Sequence, residues 1–375
     1  GNEECRIRNE NNILKIAANI NTAEMINKLG GTVKIGIEIE ENLNKIELVS
    51  KIIDELKNVK GKINFGVSLY DNDKKYSVAD VKNFGLTIKK QLKQSGLSTR
   101  YVENKEMVLS SATVFHNKLT NKGREFLITN NNEQTEKFNL AKTVALQPFE
   151  EFSKRDFGRP GRDDKSGMLP PKLAMIMINL ARTPKNSVVL DPFCGSGTIL
   201  TEAMLLGYTN LIGGDNSEKA IDDTKKNIEW IIANIKSPIL NIKTLNICYH
   251  NTDVENLSEK IENSSIDVII TEPYLGAPLC GNESEERLLA QTADLKELYL
   301  KSFEQFSKIL KKDGAVIFII PRFKFKNKWI TINFLPEIKK FGFKPKPLLP
   351  NHDFLTYSRP SQFVGREIWK FIHHH

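Results

Sequence analysis

The sequence predicts a two-part chain: an α+β amino-terminal half, then an α/β half built on a parallel sheet with helices on both faces. Three observations predict it. At 375 residues, 40% of them hydrophobic, the chain is too long for one ordinary core. Its first 145 residues mix alternating and helically spaced apolar stretches. From Ser187 onward short buried apolar runs alternate regularly with amphipathic helical ones, the pattern of a parallel sheet.

Taken in order, Ile13, Leu14, Ile16 and Ala18 read as a strand, and Ala23 to Leu29 as a helix stopped by Gly30-Gly31. Val33 to Ile39 alternates, and Ile46 to Val59 carries apolar residues at helical spacing. Ile63 to Tyr70 alternates strictly before an Asp71-Asn72-Asp73 turn, and Val78 to Gly96 reads as an amphipathic helix. Ser98 to Val102, Ser111 to Phe115 and Glu125 to Thr129 are predicted strands. The run Lys154 to Lys165 is charged and rich in Gly and Pro, so it reads as a linker or ordered loop. Pro170-Pro171 opens a helix over Lys172 to Ala181. The strands of the second half are predicted at Val188–Leu190, Leu211–Gly214, Leu245–Tyr249, Ile266–Ile270 and Ala315–Ile320. Its helices are predicted at Ile199–Leu206, Glu218–Ile235 and Leu295–Leu310.

Composition narrows the function classes. The formal net charge is +8, which fits a polyanionic partner without establishing one. Cys5, Cys194, Cys248 and Cys280 lie far apart with no C-x-x-C pair, which argues against a zinc site or disulfide framework and for a reducing cytoplasm. No run approaches the roughly 18 apolar residues of a membrane span, and no signal peptide is visible. The histidines form no metal constellation, so no metal is expected. Gly1 reads as a cloning remnant and His373, His374 and His375 as part of a purification tag, so neither end enters the functional argument.

The strongest chemical signal is Asp191-Pro192-Phe193-Cys194-Gly195-Ser196-Gly197-Thr198, between a buried strand and a helix. Glycines there let backbone approach a ligand at the carboxyl end of the sheet. The octet lacks the third glycine of a dinucleotide fingerprint and the Gly-Lys-Ser/Thr of a phosphate-cradling loop. Asp215, followed by Asn216 at the end of the next strand, can accept from both hydroxyls of a ribose. Asp253 follows the third strand, where the adenine of a nucleoside cofactor would lie.

The octet resembles the first motif of amino-group methyltransferases that bind S-adenosylmethionine, where it holds the methionine moiety. That group carries Asp/Asn-Pro-Pro-Tyr/Phe after the fourth strand, and here Thr271-Glu272-Pro273-Tyr274 stands in that place. Two alignments are open. Either Glu272-Pro273 replaces Asp-Pro, or Thr271 takes the acidic position and Pro273-Tyr274 stay in register; Glu272 is the expected carboxylate in both. The resemblance implies Thr271, Glu272, Pro273 and Tyr274 as catalytic residues. It implies Asp191, Phe193, Cys194, Gly195, Ser196, Gly197, Thr198, Asp215, Asn216 and Asp253 as cofactor-binding. An aryl amine is a poor nucleophile, so acceptors on its hydrogens raise the electron density at nitrogen for in-line attack. Tyr274 would stack on an extruded base. Cys194 lies in the cofactor loop, and small size explains it better than a nucleophilic role.

Two further segments, Asp156–Pro160 with Lys165–Ala174 and Tyr357–Glu367, join the octet in resembling the THUMP-containing family of tRNA guanine-N2 methyltransferases that modify position 10. The resemblance adds Lys165, Ser166, Met168 and Leu169 to the cofactor site, as a segment closing over it. It implies a Rossmann-like methyltransferase domain over 166–372 with a seven-stranded sheet in the order 3-2-1-4-5-7-6, the last strand antiparallel. It also implies a linker over 146–165, a THUMP-like RNA-binding domain over 61–145 and a partial ferredoxin-like region over 1–60, whose shortness fits a truncated start. Lys82, Lys89, Lys93, Lys118 and Arg124 are the expected RNA contacts, with Lys90 and Lys122 beside them. The partner implied is tRNA, and whether a small activating subunit is needed stays open. Two rivals stand: a DNA adenine-N6 or cytosine-N4 methyltransferase, and a catalytically inactive RNA-binding homologue.

Overall fold

A computed structural model describes residues 7–10, 13–59, 61–71, 74–130, 137–162, 167–235, 237, 239–240, 242–350, 352–359 and 362–374. The chain divides into two compact units, residues 1–28 with 32–149 and residues 29–31 with 150–375.

In the first unit β1 (Ile7–Glu10) and β2 (Ile13–Ile16) form an antiparallel pair, followed by α1 (Thr22–Asn27). The chain continues through β3 (Lys34–Leu43), α2 (Lys45–Lys57), β4 (Ile63–Tyr70), α3 (Val78–Gln94), β5 (Thr99–Tyr101), α4 (Ser111–His116), β6 (Arg124–Asn130) and β7 (Phe138–Leu146). Five of these strands form one sheet in the order β3-β7-β6-β4-β5, so a single sheet runs across position 60. Both long helices start from capping boxes, Asn44 with Glu47 and Ser77 with Asp80, which satisfy orphan amides at each amino terminus. They bury Leu48, Ile52, Leu56, Val81, Ile88 and Leu92 in one core with Phe65 and Phe126 of the sheet. Under that sheet Glu125 is fully buried and accepts from Lys34, from Ser68 Oγ at 2.6 Å and from Thr143 Oγ1 at 2.7 Å. A buried charge is tolerable only when so surrounded.

Two sequence expectations fail in this unit. Ser111 to Phe115 is helix α4, not a strand: Ser110 caps it by accepting from Thr113 N at 3.1 Å, and its six residues are too few for apolar spacing to tell 3.6 from 2. Strand β7 falls on residues to which the sequence reading assigns no strand.

The second unit begins with α5 (Phe149–Phe157) and α6 (Pro171–Ala181). Helix α5 occupies a stretch read as linker. Glu150 and Glu151 in its first turn and Lys154 and Arg155 in its last suit the helix dipole, and Phe152 and Arg155 are buried. Then come β8 (Val188–Asp191), α7 (Thr198–Leu205), β9 (Asn210–Asp215), α8 (Glu218–Asn234), β10 (Asn246–Asn251), α9 (Leu257–Lys260), β11 (Ile266–Thr271) and α10 (Glu285–Ile309). Helix α10 starts ten residues before the predicted Leu295, capped by Ser284. The chain closes with β12 (Leu310–Phe325), β13 (Lys328–Thr331), α11 (Leu335–Ile338), β14 (Phe343–Pro345), β15 (Phe354–Tyr357) and β16 (Val364–His373).

The main path of the sheet is β10-β9-β8-β11-β12-β16-β14. Numbered along the unit this is 3-2-1-4-5-7-6, with β16 antiparallel to both neighbours, as the family resemblance implies. Two short strands extend it: β13 pairs β12, and β15 pairs β16. Val189, Val268, Ile270 and Ile317 pack on one face with α6 and α7. Leu190, Ile269, Val316 and Phe318 pack on the other with α10. His373, at the carboxyl end of β16, is part of this sheet: it is buried and its ring stacks on Phe343 at 4.8 Å. No helix among the described residues is long and apolar enough to cross a membrane.

Candidate active site

Strands β9, β8 and β11 run parallel and adjacent, so their carboxyl ends bring Asp215, Asp191 and Thr271 to one rim. Between β8 and α7 the chain turns sharply through residues 192–197. Gly195 has φ +51° with open space where a Cβ would stand, and Gly197 has φ +80°. A Cβ on Gly197 would come within 2.8 Å of Thr224 Cγ2, so both conformation and contact require glycine there.

The loop is held from several sides. Asp215 accepts from Gly195 N through one carboxylate oxygen and from Ser217 N through the other, both at 2.9 Å. Cys194 N donates to Gly214 O at 2.9 Å, tying loop to strand β9. From α8, Thr224 Oγ1 donates to Gly195 O at 2.8 Å and Asn227 Nδ2 to Ser196 O at 2.7 Å. Asn227 also exchanges two bonds of 2.8 Å with the backbone of Gly161, fastening the segment before α6 to the same helix.

Asp191 is buried, and burial pushes its carboxyl up to about 7. Thr271 Oγ1 donates to it at 2.7 Å and Phe193 N at 3.2 Å. The Thr271 bond ties the loop after β8 to the motif after β11. Thr271 is fully buried, whereas Glu272, the next residue, is half-buried and receives Arg366 Nε at 2.6 Å. Pro273 is buried, and Tyr274 turns its ring outward, 55% exposed. The turn is anchored by Tyr299 of α10, whose hydroxyl donates to Tyr274 O at 2.8 Å. Gly276 follows with φ +94° against Gln291.

The remaining expected site residues fall in different places. Phe193 is half-buried beside the α10 core, Cys194 is buried, and Asn216 is exposed. Burial raises the Cys194 thiol well above its ordinary value, so it is held neutral, unlike an activated nucleophile. Asp253 accepts from Glu255 N at 3.0 Å, capping a short turn, and the preceding Thr252 N bonds Asp215 O at 3.0 Å. Leu169 is a core residue, and Met168 Sδ lies 3.3 Å from Arg159 Nη2. Lys165 and Ser166 lie outside the described residues. In the first unit Lys82 is paired with Glu103 at 2.7 Å, and Arg124 donates to Asn121 O and Gly123 O. Lys93 and Lys118 are exposed and Lys89 half-buried.

Two residues escaped the sequence reading. Arg159, inside the Asp156–Pro160 segment, is buried at the start of α7, donates to Thr198 Oγ1 at 2.7 Å and has an Nε with no partner among the described residues. Arg366, inside the Tyr357–Glu367 segment, is the cation on Glu272. Both contacts join residues far apart in sequence, so only local motif membership could have flagged them. Among the described residues no group of His, Cys, Asp and Glu could hold a metal ion.

A model of RMKL-like methyltransferase domains matches residues 159–333, and a DNA methylase model matches residues 70–226. A probable tRNA (guanine(10)-N2)-dimethyltransferase of Methanothermococcus thermolithotrophicus is 30% identical over 151 residues, which cover 40% of this chain and 80% of that protein. The tRNA (guanine(10)-N2)-dimethyltransferase of Methanocaldococcus jannaschii is 30% identical over 156 residues, 42% of this chain and 38% of that one. The match thus spans under half of that longer relative. The crystal structure of TrmN from Thermus thermophilus superposes with a TM-score of 0.52 at 15% identity, covering 91% of this chain and 83% of that chain, a likeness of fold. With these sequence relatives, the chain belongs to the methyltransferase family that includes the tRNA (guanine(10)-N2)-dimethyltransferases.

Proposed function

We propose that the chain transfers a methyl group from S-adenosylmethionine to the exocyclic N2 amine of a guanosine in tRNA, at position 10 as the relatives' names suggest. The single observation that carries this reading is the bond from Thr271 to Asp191, which sets a glycine-turn cofactor loop beside a carboxylate-Pro-Tyr turn.

The residues present fit the cofactor. The glycine turn leaves open space at Gly195, Asp215 retains lone pairs for ribose hydroxyls, and the unpartnered Nε of buried Arg159 at the start of α7 suits a carboxylate. Asp253, Met168 and Leu169 complete the set that would hold it. When bound, the cofactor supplies an electrophilic methyl group.

The chain's own groups do the rest. Thr271 spends its hydroxyl on Asp191, which favours the alignment with Glu272 in the acidic position. Glu272 and the carbonyl of Pro273 accept the two amine hydrogens, which keeps the nitrogen lone pair out of the ring and directs it. Arg366 fixes the Glu272 carboxylate, and the outward ring of Tyr274 stacks on the base. The transfer would be direct and in line, the nitrogen gaining the methyl group and giving up one of its protons to the Glu272 carboxylate. The first unit acts as a THUMP-like RNA-binding module, with Lys89, Lys93 and Lys118 offering charge to phosphates.

Mass spectrometry of nucleosides, after the full chain is incubated with labelled cofactor and unmodified tRNA transcript, tests the reading. Labelled N2-methylguanosine is expected from the intact chain, and its loss in Glu272→Ala. In a parallel incubation with duplex DNA, label appearing in adenine or cytosine there and not in the tRNA would establish the rival chemistry.

A further inference from the structure

Strand β12 does not stop at the rim of the sheet. Its neighbour β11 ends at Thr271, opposite Phe318, whereas β12 continues to Phe325 and returns as β13. Seven more residues at about 3.3 Å each carry the tip roughly 23 Å beyond that level. The segment Pro321-Arg322-Phe323-Lys324-Phe325-Lys326-Asn327-Lys328-Trp329-Ile330-Thr331 contains four basic residues and no acidic one.

Its two faces differ. Phe323 and Ile330 oppose each other and are buried, which roots the ribbon in the α10 core. Residues directly opposite share a face. Lys324 opposes Trp329, and Arg322 opposes Gly365 of β16, so these stand together on the other side. The Arg322 guanidinium lies 4.3 Å over the Trp329 ring, which is itself more than one-third exposed. A Cβ at Gly365 would approach Arg322 Nε at 2.9 Å and Trp329 at 3.2 Å, so glycine leaves a low floor beside the indole. Glu285 holds Lys328, and Glu367 lies near Arg322. Lys324 and Lys326 are exposed, with no ion pair among the described residues.

We propose that this β12–β13 ribbon is a second RNA-binding surface, taking the unpaired strand that flanks the target nucleotide, with phosphates on Lys324 and Lys326 and a base on Trp329. Cations interleaved with an accessible aromatic ring are what single-stranded RNA uses, because every base offers a π-face and every nucleotide a charge. Position argues for the same occupant. Arg366, which holds Glu272, directly follows Gly365, so the ribbon leaves the sheet one residue from the strand position that reaches the catalytic turn. The inference rests on the proposed RNA substrate, but it concerns a surface outside the catalytic and cofactor groups.

Filter binding of unmodified tRNA transcript to the full chain, repeated across salt concentrations, tests it. Lys324→Ala with Lys326→Ala should weaken binding about tenfold and lower the salt slope by 1 to 2, given roughly 0.7–0.9 per phosphate contact. Trp329→Ala should weaken binding on the order of tenfold, while Trp329→Phe keeps most of it, which separates stacking from loss of fold. Calorimetric affinity for S-adenosylmethionine should be unchanged in all variants. Tight tRNA binding by the intact chain without methyl transfer would defeat the proposed reaction and leave the ribbon standing. Unchanged affinity and slope in the folded variants would overturn the ribbon alone, whereas binding to anionic lipid vesicles without binding to tRNA would overturn the ribbon and the proposed reaction together.

Discussion

Removing Arg155 should unfasten α5 from α7, the helix that follows the glycine turn. Its guanidinium donates through Nε to Glu202 Oε1 at 2.8 Å and through Nη2 to Oε2 at 3.2 Å, and its carbon lies 4.5 Å over the Phe152 ring. The two side chains are 8% and 1% exposed. In Arg155→Ala the Glu202 carboxylate stays buried without its cation, a loss of about 3–5 kcal/mol for such pairs. For a unit of about 230 residues each kcal/mol lowers the melting temperature by about 2–4 °C, so the expected drop is roughly 6–20 °C. Burial already pushes the Glu202 carboxyl up against the pull of Arg155. A carboxyl whose folded pKa exceeds its unfolded one is least costly below the unfolded value, and the penalty grows as pH rises through the folded one. The deficit of Arg155→Ala should therefore be smaller at pH 5 than at pH 8. Arg155→Leu with Glu202→Met removes both charges and should recover most of the loss. Calorimetric melts of the three proteins at both pH values measure this. A deficit under about 1 kcal/mol at pH 8, or a double variant no better than the single one, would refute the reasoning.

Gly197→Ala should cost about 1–2 kcal/mol in left-handed strain. It should also displace Thr224, whose hydroxyl holds Gly195 O, and so weaken cofactor binding at least tenfold; thermal melts with and without cofactor read both. Asp191 gives a pH signature. Its folded pKa of about 7 lies above the unfolded one, so the folded chain keeps a proton between about pH 4 and 7 and loses stability as pH rises through 7. Between pH 5.5 and 8 the intact chain should lose about 2 kcal/mol more than Asp191→Asn, measured by denaturant titration. Tyr299→Phe removes the donor to Tyr274 O; it should lower turnover several-fold while leaving cofactor affinity alone, and equal effects on both would sink the anchoring role.

The second unit was legible because its strands are buried on both faces and read as continuous apolar runs between amphipathic helices, as at Val188–Leu190 and Ile266–Ile270. The same contrast fails where elements are short or polar. Helix α4 has one buried residue, Val114, and helix α5 hides two buried residues among charges that a sequence reader assigns to solvent. The site was half legible. The glycine turn, Asp215 and the Glu272 turn are local patterns. Arg159 on Thr198 and Arg366 on Glu272 join residues 39 and 94 positions apart, and no local spacing encodes such contacts. The β12–β13 ribbon was likewise invisible as a surface until pairing put Lys324 beside Trp329.

The central claim is that the rim around Gly195 and Asp215 binds S-adenosylmethionine separately from the Glu272 turn that acts on the amine. Titration calorimetry of the cofactor into the intact chain, Asp215→Ala and Glu272→Ala tests it most directly. The account predicts binding to the intact chain and to Glu272→Ala with similar affinity, and a loss of about 10- to 100-fold in Asp215→Ala, the worth of hydrogen bonds to a charged group. Equal affinity in all three proteins, or no binding to the intact chain, would contradict it.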